Sequence, residues 1–143
     1  MDDNLHTTVA GRLRRAGQRY TAARRSLVDV LATTPRPLTA TEISDADRLA
    51  PISTTYRNLA VLTQAGVLHR LNGADYSRFE LAEDLTEHHH HLVCLTCGRV
   101  DDFTLPATAE SSIMAALQSA GTSSGFAIEE HRLDALGRCP LCQ

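Results

Sequence analysis

The chain has 143 residues, enough for one domain or two small ones, and its 43% hydrophobic and 22% charged content excludes global disorder. No apolar run reaches the length of a membrane span, and the start "MDDNLHTTVAGRLRRAG" lacks the apolar stretch of a secretory signal. A cytoplasmic location with reduced thiols is therefore expected. The net charge of −3 is unevenly spread: residues 1–81 carry 11 Arg against 8 acids, and residues 82–143 carry 3 Arg against 9. A basic first half beside an acidic second half predicts two modules with different partners, the first suited to nucleic acid.

In chain order, residues 5–16 read as a short helix. A second helix starts at the N-cap Thr21, with Leu27, Val28 and Leu31 at helical spacing, and "PRP" at 35–37 ends it. Thr39-Ala40-Thr41-Glu42 is a capping-box pattern that opens a third helix. Ser53 reads as the cap of a fourth, with Leu59, Leu62 and Ala65 inward and Gly66 as its stop. Strand-like runs at 67–71 and 76–81 flank Asn72-Gly73, a hairpin signal. Helices followed by a hairpin give the order of a winged helix-turn-helix, with 53–65 as the recognition helix.

The acidic stretch 82–87 reads as a hinge. After it, 88–143 is expected to run strand (88–93), C-x-x-C turn, strand (99–104), helix (107–119), "GTSSG" loop and strand (126–133). The predicted fold class is α+β: a winged-helix DNA-binding domain over 1–81, then a small α/β domain.

Cys94, Cys97, Cys139 and Cys142 form two C-x-x-C pairs. Four thiolates make a closed tetrahedral zinc site of the structural kind, which would clip the C-terminal tail to the first strand. A redox role for "CPLC" competes, but such motifs open a helix, and here the sequence stops one residue later.

The histidines His88 to His91 are consecutive. On a strand, alternate side chains face opposite ways, so His88/His90 and His89/His91 would serve two different sites. Glu110, on the core-facing stripe of its helix, and His131 are candidates to join the first pair. His69 and Glu80 of the hairpin are candidates to join the second, provided an even-numbered turn puts them on one face. Such sites suit Fe(II), Zn(II), Mn(II), Co(II) or Ni(II).

Together "YTAARRSLVDVL", "ISTTYRNLAVLTQAGVLHRL", "YSRFEL", "HHHHLVCLTCGRVDDF" and "GFAIEEHRLDALGRCPLC" resemble the ferric-uptake-regulator family of bacterial metal-dependent repressors, over nearly the whole chain. The resemblance implies a homodimer on palindromic operator DNA, a dimerisation role for 88–143, and control of iron or zinc homeostasis genes. It also implies structural Zn(II) on the four cysteines. The regulatory site would comprise Glu80, His89 and His91, sometimes with a carboxylate at the position of Asp102. A second site would comprise His88, His90, Glu110 and His131. DNA contacts would fall to Arg24, Thr54, Thr55, Tyr56 and Arg57. The chain departs from the family in lacking a histidine in "PRPLTA", and His69 is the expected substitute ligand. The alternatives are a peroxide sensor of the same family that oxidises a ligand histidine through Fe(II), a metal-storage protein, and a zinc enzyme. No H-E-x-x-H or nucleophile elbow supports the last.

Overall fold

The computed structural model describes residues 3–48, 50–73 and 76–143. Its first half holds α1 (Asp3–Arg15), α2 (Ala22–Thr33), β1 (Leu38–Thr39), α3 (Ala40–Asp47), α4 (Ile52–Gln64), β2 (Leu68–Asn72) and β3 (Ser77–Leu81). The local signals explain most of these boundaries. Thr21 accepts from the Arg24 N–H to cap α2. Thr39 and Glu42 complete a reciprocal capping box at α3, and Arg36 and Arg78 pair with the same carboxylate. The fourth helix differs from expectation. It opens at Ile52 behind Pro51, whose carbonyl takes the N–H groups of Thr54 and Thr55 at 3.0 and 3.1 Å. Proline already supplies the extended entry, which leaves Ser53 inside the first turn.

β1, β3 and β2 form an antiparallel sheet in that order, with β1 a short strand that the sequence pattern did not signal. The hairpin register pairs Leu68 with Leu81 and His69 with Glu80. Asn72 is itself a strand residue paired with Ser77, so Asn72-Gly73 does not form a two-residue link between the strands; positions 74 and 75 lie outside the described residues. This is a winged helix-turn-helix. Its core packs Val9 and Leu13 of α1, Leu27, Val28 and Leu31 of α2, Ile43 of α3, Leu59 and Leu62 of α4, and Phe79 and Leu81 of the wing. Leu62 is fully buried at the centre of the helix-turn-helix. Leu62→Ala is expected to cost about 2–5 kcal/mol through lost burial and the cavity left behind. The check is a lower urea midpoint at unchanged slope.

Arg12 ties this half to the segment that follows the wing. Its guanidinium donates to the Gly66 carbonyl just beyond α4 at 2.6 Å, and it pairs with Asp84 in the 3-10 turn Glu83–Leu85.

The second half holds β4 (His90–Cys94), β5 (Val100–Phe103), α5 (Ala107–Ser124) and β6 (Asp134–Gly137). β4 is central, antiparallel to β5 and parallel to β6. Two expectations fail here. α5 runs on through "GTSS" to Gly125, the first position with a left-handed cap, and the Thr122 and Ser123 hydroxyls bond to carbonyls four residues earlier. Residues 126–133 form no strand. They lie against α5 at Gly121, where an added methyl would meet Ile128 at 2.7 Å. The strand forms later, at 134–137. Apolar residues of this half remain uncovered: Leu92, Phe126, Leu136 and Leu141 are all exposed, and Gly121 alone of α5 is buried. Among the described residues, no helix is long and apolar enough to cross a membrane.

Candidate metal centres

Three groups of potential ligands converge, each with its donor atoms within 4.8 Å of one another. The first is Cys94, Cys97, Cys139 and Cys142. Cys94 ends β4, and Gly98 at φ 78° turns the chain so that its N–H returns to the Cys94 carbonyl at 2.9 Å. The Leu95 N–H donates to Gly137 at 2.8 Å, which brings the second C-x-x-C alongside. Cys97 and Cys139 sulfurs lie 3.7 Å apart. The N–H groups of Cys139, Cys97 and Thr96 point at Cys94 and lower its pKa to about 5, so it is a thiolate at neutral pH. Cys142 is pushed up to about 12 by hydrogen bonding to the Cys139 sulfur, by burial and by the other two sulfurs. Four sulfurs this close cannot all ionise without a cation, and the donor set fits a structural zinc.

The second group is His88, His90, Glu110 and His131. Glu110 sits in the first turn of α5 and faces β4. Its Oε1 lies 2.5 Å from His90 Nε2, and its Oε2 lies 3.1 Å from His131 and 3.3 Å from His88. Burial pushes the Glu110 carboxyl up, but the three imidazoles outweigh it and hold its pKa below the usual value. His88 Nδ1 pairs with Glu83, a carboxylate behind a ligand-type imidazole that the sequence did not single out. His131 reaches this group from the irregular 126–133 segment rather than from a strand.

The third group is Glu80, His89, His91 and Asp102. A single Glu80 oxygen, from the wing hairpin, lies 3.1 Å from His89 Nε2 and 3.0 Å from His91 Nε2. Asp102, opposite His91 in the β4–β5 register, stands 3.8 to 4.0 Å from the two rings. Burial pushes Glu80 up, yet the hydrogen bonds and charges of His91 and His89 hold its pKa down. His91 is raised, first by its Glu80 hydrogen bond; His89 is raised by the Glu87 carbonyl and Glu80 against the effect of burial. Asp102 is raised by burial, and its Oδ1 is buried without a hydrogen bond. A cation between these groups would relieve that unmet demand. Both His/carboxylate sets fit a regulatory divalent metal.

His69 is not in the third group, contrary to expectation. The hairpin does place it opposite Glu80, but its Nε2 sits 2.8 Å from an Arg132 nitrogen. Burial and the Arg132 charge lower its pKa. An orientation of this kind depends on a residue 63 positions away and leaves no local sequence signal. The contact of His91 Nδ1 with Asp134 at 3.2 Å is equally invisible in the sequence, for the same reason.

On α4, Tyr56 and Arg57 are exposed, with Arg57 3.3 Å from the Thr54 hydroxyl. Thr55 corrects expectation: it is fully buried, with its hydroxyl turned back to the Pro51 carbonyl, so it packs the helix and does not face outward. Arg24 donates to Asn58, Gln18 and the Arg19 carbonyl, which locks α2 against α4.

The model of the ferric uptake regulator family matches residues 15–136. The chain belongs to the ferric uptake regulator family. It is thus a metal-responsive regulator, from a family of regulators rather than enzymes. A curated family member, the peroxide-responsive repressor of Staphylococcus epidermidis, is 31% identical over 100% of this chain and 93% of its own length. The Vibrio cholerae ferric uptake regulator shares the fold at TM-score 0.71 and 27% identity, covering 96% of this chain and 100% of that one. The Helicobacter pylori regulator shares it at TM-score 0.76 and 23% identity, covering 98% and 92%.

Proposed function

We propose that this protein is a cytoplasmic, metal-dependent transcriptional repressor that acts as a homodimer on palindromic operator DNA. Residues 1–81 bind DNA, 82–87 form the hinge, and 88–143 form the dimerisation unit. The observation that carries this reading is the Glu80 carboxylate shared by His89 and His91. Glu80 belongs to the wing and the histidines to the second half, so ligands for one ion come from both sides of the hinge. A divalent ion held by Glu80, His89, His91 and Asp102 supplies the bond that favours one angle between the halves. The exposed apolar side chains of the second half, Leu92, Leu136, Phe126 and Leu141, suit burial against a second copy of the chain, which sets two winged helices against one duplex. The Tyr56 and Arg57 side chains approach base edges, while arginines of the basic first half meet phosphates.

The test begins with a randomised duplex pool selected by the Mn(II)- or Zn(II)-loaded protein. Fluorescence anisotropy on the selected duplex, with and without metal, then reads the switch. Protein that keeps its structural zinc should bind at least about tenfold tighter with regulatory metal, a coupling of roughly 1.4 kcal/mol or more. Equal affinity in both states would remove the switch.

The 31% identity to the peroxide-responsive repressor supports a second reading, in which Fe(II) at the regulatory site and peroxide inactivate the repressor. Mass spectrometry after Fe(II) and peroxide treatment distinguishes the two, since only the second leaves an added oxygen atom on a site histidine.

A further inference from the structure

His69 and Glu80 are direct partners in the β2–β3 register, so both side chains leave the same face of the hairpin. Glu80 joins His89 and His91, whereas His69 does not join them. Its Nε2 lies 2.8 Å from Nη1 of Arg132 instead. A guanidinium can only donate a hydrogen bond, so His69 Nε2 is the acceptor. The lone pair that a metal would require is therefore directed at Arg132. Arg132 belongs to the segment between α5 and β6, and both residues line the same cleft of about 610 Å³ as Glu80, His89 and His91.

We propose that Arg132 withholds His69 from the regulatory metal and so fixes the ligand set at two imidazoles and two carboxylates. The inference rests on the reading of Glu80, His89, His91 and Asp102 as the regulatory site. Its consequence is metal selectivity. A carboxylate-rich set accommodates Mn(II), whereas a third imidazole favours the later metals Ni(II), Cu(II) and Zn(II). Arg132 acts through His69 and touches no ion, so it is a positioning residue. A merely structural Arg132–His69 clasp would leave the ratio of metal affinities unchanged when broken.

The test uses the full chain with its structural zinc in place. Competition titrations give the Zn(II) and Mn(II) affinities, and two-bond 1H–15N imidazole spectra follow each histidine. Arg132 is exposed, so R132A should fold normally. Loss of its positive charge strengthens binding of every divalent cation alike, which makes the Zn(II)/Mn(II) ratio the readout. R132A should raise that ratio by about tenfold, the scale on which outer-shell contacts alter metal affinity. The His69 Nε2 resonance should move on Zn(II) addition in R132A but not in the unaltered protein. H69A/R132A should return the ratio to its original value. An unchanged ratio in R132A, or a raised ratio that persists in H69A/R132A, overturns the proposal. If the His89 and His91 resonances of the unaltered protein neither shift with Zn(II) nor broaden with Mn(II), the regulatory site itself is misassigned and the inference falls with it.

Discussion

Glu80→Ala is expected to abolish metal control of DNA binding while leaving the structural zinc in place. Glu80 supplies the only carboxylate within hydrogen-bonding distance of both His89 and His91 among the described residues; Asp102 stands 3.8 to 4.0 Å away. Without it the site keeps two imidazoles and one distant carboxylate, all on the same side of the hinge. Changes in outer-shell contacts already cost metal sites about 10–100-fold, so loss of a ligand should exceed about 100-fold. Because coupling is reciprocal, the operator should then no longer tighten metal binding. Anisotropy should show one DNA affinity with and without metal, and native mass spectrometry should still find the zinc on the four cysteines. A metal-dependent shift of unchanged size in E80A would contradict the arrangement.

The pH dependence has a definite sign. His89 and His91 have raised pKa values in the metal-free protein, so their protonated pairing with Glu80 stabilises it at low pH and fades as pH rises through those raised values. Metal requires the neutral rings. Regulatory affinity should therefore weaken as pH falls through the same range.

Cys94→Ser has the second large effect, on stability. The second half has little apolar core of its own: Cys94 and Val100 are its buried hydrophobic residues. β6 is held by its parallel pairing to β4 and by the turn at the cysteines. In zinc-finger peptides the binding free energy of such an ion is about 10–16 kcal/mol, and it appears directly as folding free energy. Serine keeps the shape but removes the thiolate toward which the Cys139, Cys97 and Thr96 N–H groups are aimed. C94S should lose zinc, become monomeric by light scattering, and be cut readily by protease beyond Gly125. The winged helix, whose core is separate, should keep its helical signal. A zinc-free C94S that stayed dimeric and protease-resistant would show that β4–β6 pairing suffices alone.

The sequence made legible what is encoded locally. Thr21, the Thr39/Glu42 box and the stripe Leu27, Val28, Leu31 each combine a residue type with a spacing that has one low-energy structure. The four cysteines and the division of the histidines into His88/His90 and His89/His91 were legible because C-x-x-C spacing and strand alternation are geometric rules, whereas Asp102 came only through the family resemblance; even His88 and His89, ahead of β4, keep the alternation. Features set across the chain were hidden. Residues 126–133 carry strand-like composition, yet Gly121 admits Ile128 so closely that the segment docks on α5 instead of entering the sheet. His69 has the correct register and the wrong partner, because the deciding charge is Arg132. Thr55 illustrates the same limit within a helix, where a motif position expected to face DNA is turned inward by packing.

Arg12 has a mechanical consequence. By holding the end of α4 and the 3-10 turn together, and with the Ala82 N–H bonded to Val67 at 2.9 Å, it ties residues 82–85 to the winged helix. Between that tie and β4 lie only the residues 86–89, and there His88 reaches back to pair with Glu83 of the same turn, so the first ligand histidines follow directly on a segment fastened to the winged helix.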